Sequence, residues 1–260
     1  MFLDKKKRIV VKVGTSTLTH ATGKTNIKTV ENLVKVLADL HNMGLEVVLV
    51  SSGAVGIGVG KLGLSKKPES TQGLQAAAAI GQSELMFLYD KMFSEYGVVV
   101  SQLLFTKDAL HPNGGRQHLL DTFNQLIEFN SIPIVNENDS VSVDELLNGD
   151  NDYLSAQVAC LIEADMLILL TDTDGLFDAN PSENKNAKLI SRVDNITPQI
   201  EAVAGGAGEK GTGGFATKIK AAKLANQNGI SVIVMNGSNP DNIYDIIDGK
   251  HIGTLFKAGK

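Results

Sequence analysis

Apolar and polar positions alternate along the chain in blocks of two kinds. Short β-branched or aliphatic runs recur at residues 8–13 (RIVVKV), 46–50 (EVVLV), 97–100 (GVVV), 132–135 (IPIV), 166–170 (MLILL) and 231–235 (SVIVM). Each is too short for a stable helix and reads as a buried strand. Between them the spacing changes. Val30, Leu33, Val34, Leu37 and Leu40 fall on one helical face, and Gly44 stops that helix. Further helices are expected over residues 75–96, 119–129, 153–163, 215–228 and 241–247. Strands that alternate with helices and carry no polar face specify a mainly parallel sheet covered on both sides. The expectation is therefore an α/β fold, a three-layer αβα sandwich.

Ligands of such sheets bind beyond the carboxyl ends of the strands. Polar or glycine-rich turns follow the strands at residues 14–16, 52–54, 136–152 and 171–175, so they should line one edge together. The chain has no repeat or low-complexity linker. A single domain is expected, with a soft division near Ala164-Asp165 between an N-terminal lobe (about 1–164) and a C-terminal lobe (about 165–260).

Charge and composition narrow the function. A net charge of −5 argues against a nucleic-acid or anionic-membrane binder. The basic start at residues 5–8 runs straight into a strand, too short for a signal-peptide core. No apolar run approaches the roughly 20 residues that cross a bilayer. The single cysteine, Cys160, sits in an apolar run and reads as core. A cytoplasmic, reduced setting is expected.

Residues 136–152, NENDSVSVDELLNGDND, hold five carboxylates ahead of the closing Asn151-Asp152 pair and no Lys or Arg. A loop of that length between strand and helix points to function, either a pocket for a small cationic or amphoteric substrate or a divalent-cation site. A solvated acidic loop would have the same composition. Lys12 stands inside an apolar strand just before Gly14-Thr15-Ser16. A buried lysine must reach a carboxylate, a ligand anion or solvent at the strand end; a phosphate met by turn N–H groups is the natural counter-ion, and a lysine on a partly exposed face is the alternative. Residues 205–218, GGAGEKGTGGFATK, place Thr212, Gly213 and Gly214 before a helix and Lys218 in its first turns, either a phosphate-binding pattern or a flexible surface loop. Thr171-Asp172 ends a strand, where the aspartate either meets a nucleotide or caps a turn. Two G-x-G-x-x-G matches, at 58–63 and 206–211, do not directly follow strands, and no P-loop is present. The five histidines show no metal-ligand spacing.

Eight motifs in order resemble the amino acid kinase family: VVKVGTS (10–16), SSGAVGIG (51–58), AAIGQSELM (78–86), IPIVNENDSV (132–141), GDNDYLSA (149–156), LLTDTDGLF (169–177), GTGGFATK (211–218) and GTLF (253–256). NEND followed by GDND resembles the members that phosphorylate the glutamate side chain, giving L-glutamyl 5-phosphate at the start of proline synthesis. By that resemblance Lys12 and Lys218 would neutralise phosphoryl charge, and Asp152 would orient both. Ser52, Asp139 and Asn151 would hold L-glutamate, Asp139 taking the α-ammonium. Lys12, Gly14, Thr171, Asp172, Thr212, Gly213, Gly214, Phe215, Ala216, Thr217 and Lys218 would hold ATP, with Mg²⁺ on its phosphates. Inhibition by proline and a homo-oligomeric state, dimer or tetramer, are implied as well.

The chain departs from the family pattern in two places. It stops shortly after GTLF, where many members continue into a PUA-type domain, and residues 118–122 read HLLDT where Asn-Ala usually opens the segment. The competing expectations are a sister activity on aspartate, N-acetylglutamate or uridylate, a non-catalytic amino-acid sensor, and a structural Ca²⁺ loop at 136–152. The last lacks the D-x-[DN]-x-[DN]-G-x5-E spacing.

Overall fold

The strands gather into one sheet whose order is Val99–Phe105, Ser131–Glu137, Glu46–Ser51, Arg8–Val13, Met166–Thr171, Ser231–Asn236, Thr254–Phe256 and Arg192–Val193. A computed structural model describes residues 7–20, 22, 24–110, 115–141, 151–181, 183–205 and 214–259. Strands β1 (Arg8–Val13), β2 (Glu46–Ser51), β3 (Val99–Phe105), β4 (Ser131–Glu137), β5 (Met166–Thr171) and β7 (Ser231–Asn236) pair in parallel with their neighbours. Strand β8 (Thr254–Phe256) runs antiparallel to β7, and β6 (Arg192–Val193) runs parallel to β8. Because β1 pairs with both β2 and β5, the sheet is continuous across the Ala164-Asp165 division.

Helices α1 (Thr15–Leu18), α2 (Ile27–Asn42), α3 (Ala54–Lys61), α4 (Thr71–Ser94), α5 (Arg116–Glu128), α6 (Asn151–Leu161), α7 (Pro198–Gly205), α8 (Phe215–Gln227) and α9 (Asn242–Ile247) connect them. Side chains of β1 alternate between two cores, as the two-residue period of a strand requires. Ile9, Val11 and Val13 pack with residues of α2, α4 and α9, whereas Val10 packs with residues of α6 and α8. Lys12 shares the parity of Val10, so the strand aims it at α6 and α8.

Boundaries shift where capping and polar strand ends were not legible. Helix α4 starts at Thr71 rather than 75, because the Ser70 hydroxyl accepts from Gly73 N at 3.2 Å and caps the first turn. Asn136 and Glu137, read as the start of the loop, are the last two residues of β4, 2% and 6% exposed, in register with Leu104 and Phe105. Turn 14–16 continues directly into the single helical turn α1, and Ser52-Gly53 leads into α3.

The first G-x-G-x-x-G match falls largely in α3, and its Gly58 sets how closely that helix meets α4. A Cβ on Gly58 would overlap the Ala77 carbonyl, and one on Gly81 would overlap the Ala54 carbonyl. Small residues at both positions let the backbones touch. Gly58→Ala should therefore destabilise by about 2 kcal/mol, since neither helix can yield a backbone atom. Urea unfolding measures this, and an unchanged midpoint would contradict the close crossing.

Candidate active site

Three charged side chains meet where β1, α6 and α8 converge. The Lys12 ammonium lies 2.6 Å from Asp152 Oδ1, and Lys218 Nζ donates to Asp152 Oδ2 at 3.0 Å. Thr217 Oγ1 donates to the same Oδ2 at 2.8 Å. The three side chains are 9%, 4% and 10% exposed, so charges are held where water screens them little. Among the described residues, two ammonium groups face one carboxylate, a buried excess of one positive charge that an anion would balance. Burial alone would raise the Asp152 pKa, but Lys12 and Lys218 outweigh it and hold the carboxyl at about 2. It stays ionised across the physiological range. Gly14 adjoins this group: a Cβ there would lie 3.6 Å from Lys12 Nζ.

Asn151 precedes Asp152 at the start of α6, and one helical step turns it about 100° away. Its amide Nδ2 lies 2.8 Å from Asn136 Oδ1, 2.9 Å from Ser52 Oγ and 3.3 Å from the Ser51 carbonyl, as donor. Asn136 in turn donates to Gln82 Oε1 at 2.8 Å, and its own Oδ1 accepts from Glu137 N at 2.9 Å. One chain of hydrogen bonds thus ties α4, β4, α6 and β2, joining four of the motifs named above. Each polar group on it is buried or half-buried, and its partners offset the desolvation. Ser51 Oγ is also 2.9 Å from the Tyr89 hydroxyl, anchoring β2 to α4.

Beside this chain opens a cavity of about 200 Å³ lined by Ser52, Asn136, Asp139, Asn151, Thr15, Lys67 and residues Gly53 to Gly56. That volume suits one small molecule rather than a drug-sized ligand. Burial pushes the Asp139 carboxyl up to about 6; the Glu137 carboxylate adds to the shift, and Lys67 opposes it. A half-buried acid poised this way favours a cationic partner.

A model of the amino acid kinase family matches residues 7–236. The chain belongs to the amino acid kinase family. Among its relatives, glutamate 5-kinase of Clostridium perfringens is 52% identical over 263 residues, covering 99% of this chain and 98% of that protein. Glutamate 5-kinase of Clostridium acetobutylicum is 50% identical, covering 98% of this chain and 96% of that protein. The fold recurs in carbamate kinase from Giardia lamblia bound to AMP-PNP, with a TM-score of 0.68 at 18% identity over the full length of both chains. It recurs also in T. acidophilum isopentenyl phosphate kinase, with a TM-score of 0.65 at 20% identity, covering 96% of this chain and all of that one. At such identities these two structures speak to the fold alone.

Within this amino acid kinase chain the expected residues fall into groups. Ser52, Asp139 and Asn151 line one cavity, and Lys12, Asp152 and Lys218 form one ion cluster. Gly14 and Thr171 sit at the carboxyl ends of the adjacent strands β1 and β5. Thr171 Oγ1 donates to Asp172 Oδ1 at 3.1 Å. Gly214 caps α8, and Phe215, Ala216, Thr217 and Lys218 form its first turn. Thr212 and Gly213 lie outside the described residues, as do Asp144 and Glu145.

Several site residues had no role assigned from sequence. Asn136 and Gln82 stand inside quoted motifs, and their part in the hydrogen-bond chain appears only once strands and helices are paired. Thr15 and Lys67 line the cavity; Lys67, in an unpatterned loop, left no signal. Gly237 lies against α1 and β5, where a Cβ would come 3.0 Å from Thr17 Oγ1 and 3.1 Å from Leu170 Cβ. Of the histidines, His20, His118 and His251 are exposed and His41 is buried, with Nε2 3.2 Å from the Asn130 carbonyl oxygen; His111 lies outside the described residues. Among the described residues no group of three His, Cys, Asp or Glu could hold a metal. No described helix is long and apolar enough to cross a membrane.

Proposed function

We infer that the chain is a glutamate 5-kinase, transferring the γ-phosphoryl group of ATP to the side-chain carboxylate of L-glutamate at the first step of proline biosynthesis. The observation that carries the chemistry is Asp152 bridging Lys12 and Lys218 beside the cavity of Ser52, Asp139 and Asn151. A side-chain carboxylate with a pKa near ~4.3 is ionised at neutral pH, so it attacks without a general base. The barrier lies instead in bringing two anions together in line. That calls for cations and alignment. Lys12 and Lys218 meet the charge on the transferring phosphoryl oxygens, while Asp152 fixes both ammonium groups and takes no proton. Asn151 and Ser52 orient the glutamate side chain, and Asp139 receives its α-ammonium.

ATP is assigned to the ends of β1 and β5 and to the start of α8, through Gly14, Thr171, Asp172 and the run from Thr212 to Lys218. This makes the C-terminal half the nucleotide lobe and the N-terminal half the substrate lobe. Mg²⁺ belongs in this reading to the ATP phosphates, with oxygen and water ligands supplying most of its shell. Proline as a feedback inhibitor, a homo-oligomeric state and a cytoplasmic setting complete the proposal on the strength of the family resemblance.

Incubation with ATP, Mg²⁺, L-glutamate and hydroxylamine should yield the γ-hydroxamate, since the acyl phosphate is trapped by the amine. Product from aspartate or N-acetylglutamate but not glutamate would move the chain to a sister activity. ATP consumption with uridylate and no hydroxamate would do the same. Glutamate binding without turnover would make it a sensor.

A further inference from the structure

Among the described residues, the lining of the cavity holds two charged side chains, Asp139 and Lys67. Lys67 lies in the loop between α3 and α4, next to Lys66, whose ammonium is paired with Glu69 at 2.8 Å. Lys67 makes no ion pair of that kind among the described residues, and it faces Asp139 across the cavity closely enough to lower that carboxyl's affinity for protons. An α-amino acid head group carries one ammonium and one carboxylate. Its far end must point past Asn151 toward the two buried lysines if the side chain is to react. That leaves the head group between Asp139 and Lys67, an acid and a base for its two charges.

We propose that Lys67 binds the α-carboxylate of the amino-acid substrate, so that Asp139 and Lys67 together select a zwitterionic head group. This rests on the reading of the cavity as the glutamate site. Without a cation there, the α-carboxylate would enter a cavity whose other charged group is negative. The N-terminal amides of α3, which also border the cavity, offer a neutral alternative. They would bind a carboxylate without any dependence on Lys67.

The test compares L-glutamate with 4-aminobutyrate, which has the same ammonium and reacting carboxylate but no α-carboxylate. Its affinity is read as a competitive inhibition constant against glutamate, so turnover of the analogue is not required. Lys67→Met should raise the KM for glutamate about 10- to 100-fold, the range of a charge-assisted contact. The inhibition constant of 4-aminobutyrate and the KM for ATP should change less than about 2-fold, as neither ligand meets Lys67. Lys67→Arg should restore most of the glutamate affinity, since the charge is kept. An unchanged KM for glutamate, or an equal loss for glutamate and 4-aminobutyrate, would overturn the assignment. If the unsubstituted protein forms no γ-hydroxamate from glutamate, the kinase reading fails first, and that outcome is read before any variant is made.

Discussion

Lys218→Met should lower kcat by about 10³-fold while the KM for glutamate moves little, because a cation aimed at a transferring phosphoryl group acts mainly in the transition state. The geometry makes this substitution clean. The Lys218 side chain is 10% exposed, and its ammonium reaches Asp152 rather than the lining of the amino-acid cavity. When it is removed, Asp152 keeps Lys12 at 2.6 Å and Thr217 at 2.8 Å, so no buried carboxylate is stranded. The heavy destabilisation that follows from breaking a buried pair should therefore be largely avoided. What disappears is the excess positive charge. Single-turnover kinetics with ADP release as the readout, alongside glutamate binding by calorimetry, separates the two effects. A kcat within about 10-fold of the parent would remove Lys218 from the chemistry.

Lys12 and Lys218 stood out in the sequence as candidates because each breaks a local pattern. Lys12 interrupts a run of valines, and Lys218 follows a run of glycines at a helix start. Their meeting was not legible. It depends on the parity that points Lys12 to the same side of the sheet as Val10, and on the placing of α6 and α8 on that side. The parallel sheet followed from strands with no polar face, and the four site turns follow adjacent strands as expected. The antiparallel β8 was missed because three residues are too few for any period to show. Asn136 was misplaced for a different reason. A polar residue at a strand end looks like the start of a loop until a partner is known, and here its partners are Gln82 and Asn151, 54 and 15 positions away. Gly58 and Gly81 provide backbone contact between α3 and α4, which no local pattern announces. Contacts between distant segments, rather than local propensities, account for the part of the site that composition could not supply.

Asp139 carries the second large effect, and it has opposite signs for function and for stability. Its carboxyl is raised from 3.8 to about 6, first by burial and then by Glu137, with Lys67 pulling it back. Only the ionised form attracts an ammonium group. Below pH about 6 the kcat/KM for glutamate should therefore fall toward tenfold per pH unit, whereas glutamate's own side-chain carboxylate titrates lower, near ~4.3. Asp139→Asn should reduce kcat/KM by about 10²- to 10³-fold and abolish that acidic limb. Stability runs the other way. A carboxyl whose pKa is higher folded than unfolded binds more protons when folded, so stability declines as pH rises from 3.8 to about 6 and stays lower above it. Allowing for partial solvent screening, ionised Asp139 costs about 2 kcal/mol at neutral pH. Asn mimics the protonated acid, so Asp139→Asn should raise Tm by about 5 °C at pH 8 and leave it nearly unchanged at pH 4. Such a gain, bought with lost activity, is the trade expected of a group held for binding. A pH-independent kcat/KM between pH 5 and 8, or a variant that binds glutamate as the parent does, would remove Asp139 from the substrate's ammonium site.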